Sequence, residues 1–200
     1  QGSEEDTNYF LLGDGETGGG NSPSFGEGSR QRSWLREQLA DSRRHSAFTF
    51  VFFHHVPYSV GPHGWPAGDG TGQDAQSGVP VRSLTPLFHE FGVDALIAGH
   101  DEMWERSRLG GTQILDDGTR RDHTLHVYDV GIAGDGLRGP QQGLTNPYQQ
   151  FLAHHDAPEV WSDGVLEAGG KHYGHLEIDI LPADGGWEAV LKPVHVFPFV

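Results

Sequence analysis

Apolar residues occur in short blocks, separated by long polar stretches rich in glycine. Tyr9-Phe10-Leu11-Leu12 reads as a short buried strand that stops at Gly13-Asp14-Gly15, and residues 13–30 read as a Gly/Ser-rich loop. Trp34, Leu35 and Leu39 recur on one helical face, which predicts a helix over 31–42 with Ser29 as its N-cap. The run from Ala47 to Phe53 is rich in β-formers and predicts a buried strand, central or parallel in its sheet. A long Gly/Pro loop follows. Leu84, Leu87, Phe88 and Phe91 stand at i, i+3, i+4 and i+7, an amphipathic helix with Gly92 as its stop, and Val93 to Ala98 is again strand-like. Helix, strand, helix and strand in that order predict a layered α/β fold. Three later segments, 124–130, 173–181 and 187–197, predict further strands of antiparallel character, and 131–170 looks irregular. No internal repeat and no linker divides the chain.

Histidines stand where the first two of these apolar runs end. His54 and His55 follow Phe53 directly, and His100 follows Ala98 after one glycine, with Asp101 and Glu102 next. Ligands collect beyond the carboxyl ends of strands in open α/β sheets. If the two strands are parallel neighbours, His54 and His100 point into one crevice, and imidazole is the commonest neutral metal ligand. Gly99 is expected to let the backbone turn and to leave room beside the histidine. A hydrogen-bonded surface role is the competing reading of histidines at strand ends. His154-His155-Asp156, His172, His175 and Trp65 are further polar or aromatic features of the loops and late strands, each with a surface or core reading beside the functional one.

Composition narrows the chemistry. The chain has no cysteine, which removes disulfides, thiolate metal sites and cysteine nucleophiles. A formal charge of −15 argues against nucleic acid and against an anionic membrane as partners. It does not argue against a phosphorylated small molecule, because a bound cation reverses the local field. No apolar run is long enough to cross a membrane and no signal peptide is seen in this chain. The acidic, lysine-poor character points to a secreted or periplasmic protein.

Three motifs, in order over residues 31–106, resemble the C-terminal half of calcineurin-like metallophosphoesterases of the purple-acid-phosphatase-like kind. They are Gln31, Trp34, Leu35 and Leu39; then His54-His55-Val56-Pro57-Tyr58-Ser59; then Val93-Asp94 running to Gly99-His100-Asp101-Glu102-Met103-Trp104-Glu105-Arg106. The resemblance implies a layered β-sheet sandwich flanked by helices, with residues 1–200 as the C-terminal part of one domain. It implies hydrolysis of phosphate mono- or diesters at a dinuclear centre of two divalent or trivalent ions (Fe, Zn, Mn or Ca).

By motif position, His54 and His100 would ligate one ion and residue 102 the other. His55 or His63 would lie near the leaving group as an acid or a phosphate contact, with a structural role for His55 as the alternative. The family carries histidine where this chain has Glu102. That residue is therefore either a harder, oxygen-donor ligand or the mark of an altered site in which it pairs with Arg106. The family's upstream motifs are not matched here; Gly13-Asp14 and Gly20-Asn21 lie too close together to serve as them. The remaining ligands are expected from an N-terminal fragment of the same precursor or a second chain. A non-catalytic phosphoesterase-like binding module with a degraded site is the alternative function.

Overall fold

A computed structural model describes residues 24–68, 70–134, 136–152, 160–168 and 173–196. The expected strand Tyr9–Leu12 lies outside them, as do His154, His155, Asp156 and His172.

Helix α1, Arg30–His45, begins where predicted, with the Ser29 hydroxyl accepting from the Arg32 N–H, and it ends with Arg43, Arg44 and His45 in its last turn. Those cations suit the negative end of the helix dipole. A 3-10 turn, Val79–Leu84, runs into helix α2, Thr85–Phe91. Gly92 ends it with φ +70°, a left-handed conformation that side chains with a Cβ avoid.

The central sheet has five strands: β1 Phe50–Phe52, β2 Ala95–Ala98, β3 Trp104–Ile114, β4 Arg120–Val130 and β5 Gln149–Leu152. Their order is β1-β2-β4-β3-β5; β1, β2 and β4 run parallel, while β3 is antiparallel to β4 and β5. Two hairpins complete the fold, β6 Val160–Ser162 with β7 Val165–Ala168, and β8 Tyr173–Ala183 with β9 Gly186–Val196.

Burial assigns each face of the sheet a layer. One face carries Leu96, Ala98, Leu109, Leu125 and Val127 against the helices through Leu39, Leu84, Leu87, Phe88 and Phe91. The opposite face carries Ala95, Trp104 and Tyr128, with Ile97 partly buried, against Leu176 and Leu191 of the β8–β9 hairpin. The protein is thus a layered α/β fold: helices, a mixed sheet, and a β-hairpin. Full burial of each such leucine or phenylalanine contributes roughly 1.5–3 kcal/mol.

Three expectations need correction. The run 47–53 forms only a three-residue strand; it is parallel to β2, as one of its two readings had it, but among the described residues it lies at the edge of the sheet rather than in its centre. The segment 124–130 belongs to a strand that is parallel to β2 on one side. The stretch 131–170 holds three short strands instead of being irregular throughout. Phe52, the last residue of β1, is 64% exposed. A groove of about 620 Å³ runs along this open edge, lined by Phe25, Trp34, Leu35, Phe52 and Val81 among others. It explains why only Leu39 of the expected apolar face of α1 is fully buried while Trp34 remains 59% exposed.

Candidate functional site

The parallel pairing of β1 with β2 brings their carboxyl ends together. The Phe53 N–H donates to the Ile97 carbonyl at 3.3 Å, and the Gly99 N–H to the His54 carbonyl at 3.1 Å. The residues that leave these strands therefore emerge side by side. Gly99 needs no glycine-only conformation here; a Cβ would come no nearer than 3.4 Å to the backbone of Val130 and Gly131.

His54 Nε2 and His100 Nδ1 lie 2.8 Å apart. The other nitrogen of His100, Nε2, is 2.9 Å from the Gln76 carbonyl. A carbonyl can only accept, so Nε2 carries the proton and Nδ1 presents its lone pair to His54. Burial lowers the His100 pKa to about 2, assisted by the neighbouring His63, His55 and His54 and resisted by the bond to Gln76. The imidazole is neutral at any physiological pH. His54 is exposed, so the pair is reached from solvent.

His55 and His63 join the cluster. The His55 ring centre lies 4.4 Å from that of His100, and the His63 ring stacks on His100 at 3.8 Å with 27° between planes. His63 Nδ1 lies 2.7 Å from Asp74 Oδ2. Of the five site residues that the resemblance implies, His54, His55, His63 and His100 therefore form one constellation. Glu102 is engaged elsewhere: its carboxylate pairs with Arg138, whose N–H also donates to the Glu102 carbonyl at 2.8 Å. Arg106 is not its partner, because β3 begins at Trp104 and an extended strand does not bring i and i+4 together as a helix does. Among the described residues no three His, Asp or Glu side chains converge closely enough to hold an ion.

Buried carboxyls hold the loop that carries His63. The Val60 N–H donates to Glu105 at 2.9 Å and the His63 N–H to Asp101 at 2.9 Å. Glu105 also accepts from Asn146 and Gln149, both at 2.7 Å. Gly61 permits this approach, since a Cβ there would fall 2.5 Å from the Asp101 carboxyl carbon. Asp129 sits opposite Glu105 in the β3–β4 register and is 1% exposed. Burial, then the charges of Asp101 and Glu105, push its carboxyl well above the usual range. Burial likewise raises Asp101 and Glu105, against their hydrogen bonds.

Sequence reasoning did not single out Glu105 or Asp129 as structural acids, nor Asp74 and Gln76 as partners of the imidazoles. Glu105 stood within the quoted motif without a stated role. Asp74 and Gln76 sit in a Gly/Pro loop where spacing carries no period.

No family model matches the chain. Two uncharacterised proteins of Mycobacterium tuberculosis, from strains H37Rv and CDC 1551, are each 37% identical over an alignment 142 residues long that covers 64% of this chain. The match covers 25% of each relative, so the chain spans about a quarter of the length of the curated relatives it matches. Among solved structures, a purple acid phosphatase from yellow lupin (Lupinus luteus) seeds aligns with 78% of this chain and 24% of its own, at TM-score 0.49 and 15% identity. The GAP50 anchor of the Plasmodium inner membrane complex aligns with 67% of this chain and 34% of its own, at TM-score 0.37 and 20% identity.

Proposed function

We propose that this chain is the C-terminal part of a metallophosphoesterase, which hydrolyses phosphate mono- or diesters at a dinuclear centre completed by an N-terminal segment or a second chain. The observation that carries the reading is the 2.8 Å approach of His54 Nε2 to His100 Nδ1 at paired strand ends. The donor set fits a cation that displaces the proton His54 Nε2 shares with His100 Nδ1: two imidazole nitrogens then face one another as lone pairs. His54 and His100 would hold one ion. Glu102, released from Arg138, would be the contribution of this chain to the second. Bound metal supplies charge neutralisation of the phosphoryl oxygens and a water acidified to neutral pH. His55 and His63 bind and orient the ester beside that centre. The Gln76 carbonyl holds the His100 ring in the tautomer that keeps its own proton on Nε2 and a lone pair on Nδ1.

Among the described residues β1 has a neighbour on one side only, and that edge with its groove supports a place for a further segment. Strand edges are usually paired, covered or blunted with charge, and this one exposes a phenylalanine. A strand added there would lie beside His54 and bring ligands beyond those that the described residues offer.

The ion pair of Glu102 with Arg138 favours a second reading, a phosphoesterase-like module that binds a ligand without catalysis. One experiment separates the two. The complete protein is purified, its metal content measured, and hydrolysis of a generic aryl phosphate assayed with and without His100→Ala. Two ions per molecule and activity lost in the variant support the enzyme; a folded, metal-free and inactive wild type supports the module.

A further inference from the structure

The loop between β1 and α2 delivers a carboxylate and a carbonyl to two different imidazoles. Its neck is closed by a bridge between Ala67 and Asp74, with the Asp74 N–H donating to the Pro66 carbonyl at 2.9 Å and the Gly68 N–H to the Asp74 carbonyl at 3.1 Å. Asp74 Oδ1 accepts from the Gln76 N–H at 3.2 Å, which directs the other carboxylate oxygen to His63 Nδ1. Two residues on, the Gln76 carbonyl receives His100 Nε2. The loop thereby sets the rotation of both stacked rings. The His63 backbone is held independently through Asp101. Within this network the Asp74 carboxylate is the group that selects which His63 nitrogen bears the permanent proton.

We propose that Asp74 is the positioning residue of His63: its carboxylate keeps the ring proton on Nδ1 and fixes the ring plane, so that His63 meets a bound ester only through Nε2. For catalysis this rests on the phosphoesterase reading. As water adds to phosphorus and the O–P bond of the ester breaks, the leaving oxygen takes the Nε2 proton of a His63 ring protonated on both nitrogens. The ring returns to the Nδ1–H form held by Asp74, its Nε2 proton is restored from solvent, and water is the only co-reactant. A carboxylate in this place resembles, in physical role, the partner that holds a catalytic imidazole in one tautomer and orientation.

Two measurements test this separately. The first is ¹⁵N NMR of histidine-labelled complete protein without added metal, at alkaline pH where the imidazole is neutral. His63 is expected as the Nδ1–H tautomer, changing to mainly Nε2–H in Asp74→Ala and to a mixture in Asp74→Asn, with the His175 signals unmoved. A His63 that carries its proton on Nε2 in the wild type, or an unchanged tautomer in both variants, overturns the assignment of Asp74. The second is a leaving-group series with metal-loaded protein. Asp74→Asn is expected to lower kcat about 10²-fold for an alkyl phosphate and less than about threefold for an activated aryl phosphate, with KM unchanged. Equal losses on both esters overturn the role at the leaving group. If the wild type hydrolyses neither ester, the phosphoesterase reading and the leaving-group role fail together, and the tautomer measurement still decides whether Asp74 positions His63.

Discussion

His100 accepts at Nδ1 from His54 and donates at Nε2 to the Gln76 carbonyl, so one buried imidazole joins the ends of two parallel strands to the loop that follows the first. The same bonds that stabilise the fold here define the donor atoms of the candidate centre.

The first prediction concerns metal. At about a hundredfold excess over Kd, a bound ion stabilises its protein by about 2.7 kcal/mol. Zinc or manganese should raise the melting temperature of the complete protein. His54→Ala and His100→Ala should each remove most of that rise, whereas His175→Ala, exposed on β8, should keep it. Differential scanning calorimetry with dialysis against metal reads the difference.

Acid stability follows from the neutral state of His100. Its pKa falls from 6.5 in the unfolded chain to about 2 in the folded one. Between those values the unfolded chain binds a proton that the native state does not, so stability declines as pH drops through that window. His100→Asn should flatten urea-denaturation midpoints plotted against pH, by at most about 1.4 kcal/mol per pH unit. Some slope should survive, because burial also lowers His89, His123 and His126.

Glu105 holds three donors from two separate parts of the chain: Val60, and Asn146 with Gln149. Truncation leaves buried donors without an acceptor, a large penalty compared with the net value of a hydrogen bond. Glu105→Ala should cost about 3 kcal/mol in equilibrium unfolding, and Glu105→Gln clearly less, since its amide oxygen still accepts. Hydrogen exchange at the Val60 amide should quicken in the alanine variant.

Asp129 carries the opposite sign to His100. Its folded pKa is raised, so the native carboxyl keeps a proton where the unfolded chain has lost it. Stability therefore declines as pH rises from the unfolded value of 3.8 towards the folded one. Asp129→Asn removes the buried acid while keeping its shape, and should stabilise the protein at neutral pH by about 1–3 kcal/mol. Thermal melts across pH should show the gain vanish in acid.

Much of the arrangement was legible in local pattern. Ser29 capped its helix, Gly92 ended the next, and Leu84 to Phe91 buried the face that their spacing required. His54 and His100 were legible for the same reason: a strand that ends beside its parallel neighbour puts the next residue at the shared crevice. β3 escaped notice because Gly110-Gly111 and outward charges interrupt its alternation.

The sequence by itself determined which short runs bury, which residue types reach the strand ends, and that thiol chemistry is absent. Those properties depend on neighbours a few residues away. Only the tertiary structure decided that β1 is the edge strand among the described residues, that Glu102 turns to Arg138, and that Asp74 and Gln76 reach the imidazoles. Each depends on loop closure, which joins residues from unrelated stretches of chain and leaves no period along the sequence.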